Sequence, residues 1–338
     1  MNRDEYVLIL GSGEQTKELM KRRRESRSTS YKLLGCLSLN GSGAPESVEG
    51  LPILGTWKTL RDYIFRNPVD VVLVSAPLSS ALSTELLEPA LEIGLTVAVP
   101  NGVSVALAHS RPDKMFTRRQ PLLGVDTTLL TTVPQEKSYL LIKRVMDCVV
   151  SAAALVLLAP LFLLIALAVK MSSPTGPIFY RWHVLGKHGK PFVGYKFRTM
   201  VPEADKLKEQ LRAFNEMQGP VFKMRKDPRV FPVGRFLRKF SLDELPQLYS
   251  VLKGDMSLVG PRPPSKEEAE KFEFWQRRKL SVKPGISCLW QINGRNEICS
   301  FSDWARLDLE YIQNASLLLD LKIILLTFPA VLSGRGAS

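Results

Sequence analysis

The sequence predicts a two-part α/β chain. A Rossmann-like N-terminal domain is expected over residues 1–105, a linker over 106–140 and a re-entrant membrane helix over 141–170. A small mixed α/β, helix-rich domain with interfacial amphipathic helices is expected over 171–338. Three observations predict this. Short apolar runs alternate with helical stretches through the first hundred residues, the pattern of a parallel sheet covered by helices. An uncharged segment runs for 22 residues from Cys148 to Val169, with Pro160 in its middle. The cationic excess is confined to the second part: residues 1–140 hold 16 Lys and Arg against 15 Asp and Glu, whereas residues 141–338 hold 30 against 18.

In the first part, Tyr6–Leu10, Leu33–Leu37, Val69–Val74 and Leu95–Val99 are runs of the length and composition of buried strands. Helical stretches fall between them, near Gln15–Glu25, Trp57–Phe65 and Ser83–Ile93. Gly11-Ser12-Gly13 follows the first strand, where a phosphate-binding turn would sit, but the third glycine of the dinucleotide fingerprint is missing. That favours a regulatory or oligomerisation module over a dinucleotide binder. From Ala106 to about Tyr139 the pattern is weak and polar, with Arg118-Arg119 and scattered prolines, and reads as linker.

The Cys148–Val169 segment has the length of a spanning helix. Two features favour a hairpin that enters and leaves on one side. Pro160, after Ala159, removes a backbone hydrogen bond in mid-segment. Lys143 and Arg144 precede the segment and Lys170 follows it, and basic flanks prefer the cytoplasmic side. The full span is the alternative. Ala204, Leu207, Leu211 and Phe214 recur as one helix face, and Ser316–Leu332 is nearly all apolar apart from Asp320 and Lys322. Both suit interfacial helices, with a core helix as the alternative for the second.

The basic second part must meet something anionic. No nucleic-acid motif accompanies the charge, so an anionic membrane surface and phosphorylated substrates fit better. Cys36, Cys148, Cys288 and Cys299 show no Cys-x-x-Cys pairing and only three His occur, so neither a disulfide framework nor a zinc site is indicated. The N-terminus leads straight into a strand-like run without a signal-peptide pattern, so the second part is expected to face the cytoplasm.

The most informative stretch is Phe240-Ser241-Leu242-Asp243-Glu244-Leu245-Pro246-Gln247-Leu248. Ser241 and Glu244 have capping-box spacing, and Leu245, Leu248 and Leu252 follow at helical intervals. A helix N-terminus there would hold Asp243 ionised. Arg235, Arg238 and Lys239 lie upstream and Arg262, between Pro261 and Pro263, lies downstream. Two carboxylates among so many cations suit a magnesium ion and a phosphate better than a structural cap.

Lys196-Phe197-Arg198-Thr199-Met200, the Ser241–Leu248 stretch, Gly254–Pro263 and Lys283-Pro284-Gly285-Ile286 occur in this order, and here the chain resembles the bacterial sugar transferases. These are monotopic polyprenyl-phosphate phosphoglycosyl transferases, and the first part resembles the nucleotide-binding-like domain of their long members. The resemblance runs from about Leu141 to the C-terminus. It implies transfer of a sugar-1-phosphate from a UDP-sugar to undecaprenyl phosphate on the cytoplasmic face of the inner membrane, with release of UMP. This is a first membrane step of exopolysaccharide, capsule or O-antigen assembly.

The resemblance makes Asp243 the nucleophile of a covalent phosphosugar intermediate and Glu244 a Mg²⁺ ligand. Lys196 and Arg198, alternating with Phe197 and supported by the resemblance, Arg262 held between prolines and Arg238 just before the Asp-Glu pair are the expected substrate-binding cations, with Arg295 a weaker candidate for the nucleotide. The family's re-entrant helix commonly breaks at a Ser-Pro pair, where this chain has Ala159-Pro160. A non-enzymatic nucleotide-sensing regulator and a glycosyltransferase releasing UDP are the competing readings, and a homodimer is left open. His183 is expected to be peripheral, and Trp275, Trp290 and Trp304 to be core or membrane-interface residues.

Overall fold

The structure, a computed structural model, describes residues 5–11, 13–25, 31–39, 46–103, 115–134, 136–294 and 298–332. It divides into two compact units, Met1–Pro134 and Gln135–Ser338.

The first unit contains β1 (Glu5–Gly11), α1 (Gly13–Glu25), β2 (Tyr31–Ser38), β3 (Ser47–Val48), β4 (Leu51–Thr56), α2 (Leu60–Arg66), β5 (Val71–Val74), α3 (Ser80–Glu92), β6 (Thr96–Pro100), β7 (Phe116–Leu122) and β8 (Val125–Thr131). The strands form one sheet in the order β3-β4-β2-β1-β5-β6-β8-β7. Its centre, β4 through β6, is parallel. Val7, Ile9, Leu73 and Ala98 are fully enclosed, as expected of strands covered on both faces. All four apolar runs singled out in the sequence are strands of this centre.

Residues 116–131 differ from the linker expectation. They form a hairpin, and β8 pairs antiparallel with β6, Ala98 opposite Leu129. The turn at Leu123-Gly124 has positive φ at both residues (51° and 79°), the geometry of the tight hairpin turns that match strand twist. β7 is an edge strand whose first four residues are exposed, and its Arg118 and Arg119 hide the strand pattern.

The second unit opens with α4 (Lys137–Leu157) and α5 (Ala159–Ser172), whose axes differ by 62°. Pro160 sits in the first turn of α5, where its missing N–H costs nothing, so the chain restarts as a new helix there. Among the described residues no single helix is long and apolar enough to cross a membrane. One side of the pair is exposed and apolar, with Val149, Val156, Leu157, Leu163, Leu164 and Leu167.

The other side carries polar anchors. Arg144 donates from Nη1 and Nη2 to the Val251 and Leu252 carbonyls at 2.7 and 2.8 Å. Asp147 accepts from the Leu258 N–H at 2.9 Å and the Ser257 hydroxyl at 3.1 Å. Ile165 and Val169 of α5 pack with Phe197, Phe231 and Leu237.

Downstream come β9 (Phe179–Leu185), β10 (Pro191–Phe197), α6 (Ala204–Lys208), α7 (Pro232–Lys239), α8 (Gln247–Lys253), β11 (Ser257–Val259), α9 (Lys266–Glu270), β12 (Gly285–Ser287), α10 (Leu289–Ile292), α11 (Phe301–Asn314) and α12 (Leu317–Leu332). β9 and β10 form an antiparallel ribbon, and β11 and β12 a parallel pair. The amphipathic helix expected from Ala204 to Phe214 ends at Lys208. A separate 3₁₀ turn holds Phe214, which is exposed, so its apolar stripe is too short to sustain one helix.

α12 continues through Pro329. Leu318, Leu325 and Phe328 are exposed, while Ile323 and Asp320 are enclosed. Asp320 accepts from Lys143 Nζ at 2.8 Å, from Tyr311 Oη at 2.7 Å and from Tyr139 Oη at 3.1 Å, tying α12 to α4 and α11. Without Asp320 the Lys143 ammonium would be left buried and uncompensated, an arrangement that costs about 3–5 kcal/mol.

Candidate active site

Lys196, Arg198, Arg238, Asp243, Glu244 and Arg262, separated by up to 66 positions in sequence, line one cleft of about 430 Å³ in the second unit. Its size is that of a small-molecule site. Arg295 lies outside the described residues. Ala159 and Pro160 form the α4–α5 bend and do not line the cleft.

The carboxylates sit on a short 3₁₀ turn, Leu242–Glu244, between α7 and α8. The capping box expected of Ser241 does not form. Ser241 is left-handed (φ 50°) and makes no side-chain cap bond, because a cap requires an extended backbone at that residue. α8 starts only after Pro246. Asp243 is therefore not held ionised by a helix N-terminus. Its pKa is pushed up to about 6, first by burial and then by the Glu244 charge, against the pull of Lys196 and Arg238. The side chain keeps a partly exposed edge in the cleft, yet protein surrounds it closely enough to remove most of its hydration.

Each cation reaches the cleft by its own route. Lys196, on β10, bonds Glu244 Oε1 at 2.6 Å and lies 4.1 Å above the Trp182 ring. Trp182, unanticipated in the sequence, also underlies Arg262 at 5.5 Å. Opposite Trp182 on β10 stands Gly194. Arg262 also faces Glu268 at 3.6 Å.

Phe197 turns to the opposite side from Lys196, into the core, where it contacts Phe162 and Phe179. Arg198, only 5% exposed, donates from Nη2 to the Ser173 carbonyl at 2.7 Å, while its Nε and Nη1 are buried without a partner.

Arg238 donates from Nε to Thr199 Oγ1 at 3.0 Å. Burial pulls its pKa down, and Asp243 is the strongest of the charges pulling it back up. Thr199 is held in turn by residues not singled out in the sequence. Its carbonyl accepts from the Phe231 N–H at 3.2 Å, and Val201 N–H donates to the Arg229 carbonyl at 2.9 Å. Arg229 is locked by a bidentate bond to Asp227 at 2.9 and 2.6 Å, with both side chains almost fully buried. Gly234 permits this contact, since a Cβ there would collide with the Thr199 carbonyl.

Of the other expectations, His183 is exposed on β9 and Trp275 is bonded to Glu273 at 2.9 Å. Trp290 and Trp304 are buried and stacked at 4.2 Å along the cleft wall.

The family model for bacterial sugar transferases matches residues 138–334, essentially the whole second unit. The chain belongs to the bacterial sugar transferase family. Within that family it is 46% identical over 200 residues to the galactosyl transferase CpsE of Streptococcus agalactiae serotype III, a stretch covering 59% of this chain and 44% of that protein. It is 42% identical over 199 residues to the exopolysaccharide production protein ExoY of Rhizobium meliloti (58% and 87%). It is 37% identical over 243 residues to an undecaprenyl-phosphate galactose phosphotransferase of Salmonella typhimurium (71% and 49%). The match thus spans about half the length of the Streptococcus and Salmonella relatives and most of ExoY.

The Asp243 environment has a signed consequence for stability. The folded-state pKa of about 6 lies above the ordinary 3.8, so the proton is held more tightly in the folded protein. This contribution is full below about 3.8 and is lost as pH rises through about 6. At neutral pH the ionised Asp243 therefore costs stability. Asp243→Asn is expected to raise stability at pH 7.5 by about 1–3 kcal/mol, and to have little effect at pH 4, in thermal melts of detergent-solubilised protein. A lower Tm for the Asn variant at pH 7.5 would contradict the assignment.

Proposed function

We propose that this chain transfers a sugar-1-phosphate from a UDP-sugar to undecaprenyl phosphate at the membrane surface, releasing UMP, through a covalent phosphosugar on Asp243. The observation that carries this is the placement of Asp243: a carboxylate at the cleft wall, stripped of water and flanked by Lys196 and Arg238. A docking surface has no use for such a carboxylate, which argues against a non-enzymatic regulator. The printed activity of the Salmonella relative supports the substrate pair.

In the first step an Asp243 oxygen attacks the phosphorus that carries the sugar. The bond from that phosphorus to the UMP oxygen breaks, and UMP leaves with the bonding pair. In the second step a phosphate oxygen of the lipid attacks the same phosphorus, the acyl-phosphate bond breaks and the Asp243 carboxylate is restored. Positioning and neutralisation do most of the work in phosphoryl transfer, and Lys196, Arg238 and Arg262 supply them.

Magnesium fits the donor set. Among the described residues no cluster of three or more potential ligands occurs, but Mg²⁺ is often held by one or two carboxylates together with substrate phosphates. The mutual repulsion of Asp243 and Glu244 marks where a divalent cation would be welcome. Glu244 would hold it, and the ion would supply charge neutralisation at the diphosphate. Glu244 is also bonded to Lys196.

The bent α4–α5 pair is read as a re-entrant hairpin, with its exposed apolar side in one leaflet and its basic flanks, Lys143 and Lys170, on the cytoplasmic side. The parallel sheet of the first unit is read as Rossmann-like, with a regulatory or oligomerisation role.

The nucleotide released with a UDP-sugar, polyprenyl phosphate and Mg²⁺ decides the reaction class. UMP is expected, with turnover abolished by a chelator. UDP would establish an ordinary glycosyltransferase, and full activity in chelator would remove the metal from the account. Cysteine labels at positions 137 and 170, both exposed, are expected to react from the same membrane face, and labelling from opposite faces would restore a spanning helix.

A further inference from the structure

The cleft's cations are not equivalent. Lys196 and Arg262 each face a carboxylate, Glu244 and Glu268. Among the described residues Arg198 has no carboxylate partner. It is nine-tenths enclosed, and two of its donor nitrogens, Nε and Nη1, lie buried and unused. Unmet donors on a buried guanidinium are costly, and an oxyanion that accepts from them relieves that cost.

Its position differs as well. The one bond Arg198 makes goes to the carbonyl of Ser173, the residue that closes α5. Arg198 therefore sits where the apolar hairpin ends and the cleft begins. Along the apolar edge there, Leu163, Leu167 and Met171 of α5 and Phe179 at the start of β9 are exposed, while Tyr180, on the opposite face of β9 and paired with Lys196, lines the cleft. Phe179 stacks on Phe197 at 5.2 Å, and Phe162 of α5 meets the same ring edge-on at 5.3 Å, so this edge is continuous with the core that seats α5. An isoprenoid chain lying on such an edge would bring its terminal phosphate to Arg198.

We propose that Arg198 holds the phosphate of the polyprenyl acceptor, while Lys196, Arg238 and Arg262 serve the donor diphosphate. The ligand is a phosphomonoester on a long apolar chain, and the planar fork of arginine suits its oxygens. Arg198 orients the attacking oxygen of the second step, in which the phosphorus–Asp243 bond breaks and the carboxylate is regenerated. Gly176, in the turn between α5 and β9, leaves the guanidinium its space, because a Cβ there would collide with Nη1.

The proposal rests on the two-substrate reading above, and its test separates the two. Wild type, Arg198→Gln and Arg198→Lys are compared in vesicles of fixed composition. The KM for each substrate is measured at saturation of the other, together with UMP release in the absence of acceptor. Arg198→Gln is expected to raise the acceptor KM at least tenfold, with partial recovery in Arg198→Lys. Donor KM and the acceptor-free release of UMP should be unchanged. A raised donor KM with an unchanged acceptor KM would assign Arg198 to the donor and overturn the proposal. Weaker vesicle binding with an unchanged acceptor KM would mean that it holds a bilayer headgroup, and would overturn it equally. Absence of acceptor-free UMP release in wild type would defeat the covalent route alone, since the KM comparison still reads. If Arg198→Gln fails to fold, Gly176→Ala, which keeps the charge but crowds the guanidinium, is expected to raise the acceptor KM selectively, and an unchanged value would overturn the proposal.

Discussion

Two carboxylates on adjacent residues, Asp243 and Glu244, are held where water is scarce, and the second unit is arranged around the repulsion between them. Left alone, such a pair would take up a proton, and the rise of Asp243 to about 6 shows the tendency. Lys196 opposes it through direct contact with Glu244, and Arg238 through its charge. Neither cation could do this from a mobile surface position. Lys196 is aimed by the β9–β10 ribbon and flattened on Trp182, and Arg238 is held by Thr199. The Asp227–Arg229 pair and the close approach of Gly234 lock Thr199 in turn. The result is a site that is anionic at Asp243 and cationic around it, the distribution phosphoryl transfer requires.

The same unit couples this site to its bent apolar helix pair. Arg144 binds the last carbonyls of α8, the helix that follows the Asp243–Glu244 turn, and Asp147 holds the start of β11. On the second arm, Ile165 and Val169 pack with Phe197 and Leu237, and Phe197 and Arg238, the neighbour of Leu237, line the cleft. A tilt of either arm would therefore be felt at the carboxylates. This gives a physical reason for the bent helix pair and the Asp243–Glu244 turn to belong to one compact unit.

Much of this was legible in the sequence, for reasons that differ by element. The central strands announced themselves because burial on both faces leaves only apolar residues, as in Val71–Val74. The bend followed from one proline. The cleft cations and carboxylates were legible as motifs, though their convergence was not, since it depends on contacts as long-range as Lys196 with Glu244. Ser241 misled because the spacing of a capping box says nothing about backbone φ, and Pro246 delays the helix that the leucines suggest. The β7–β8 hairpin was missed because an edge strand exposes its side chains and so carries arginines where a central strand would carry valines. Trp182, Asp227 and Arg229 act through other residues, and a single sequence gives such roles no pattern of their own.

The central claim is that Asp243 becomes covalently bonded to the transferred phosphosugar. Wild-type protein mixed with UDP-sugar and Mg²⁺, without lipid acceptor, and quenched rapidly for intact-mass measurement tests it most directly. The account predicts a mass increase equal to one sugar phosphate, mapped by peptide analysis to Asp243 and discharged when polyprenyl phosphate is added before the quench. An unmodified chain at every quench time, under conditions where the complete mixture turns over, would contradict it and leave Asp243 as a metal ligand or base in a direct transfer.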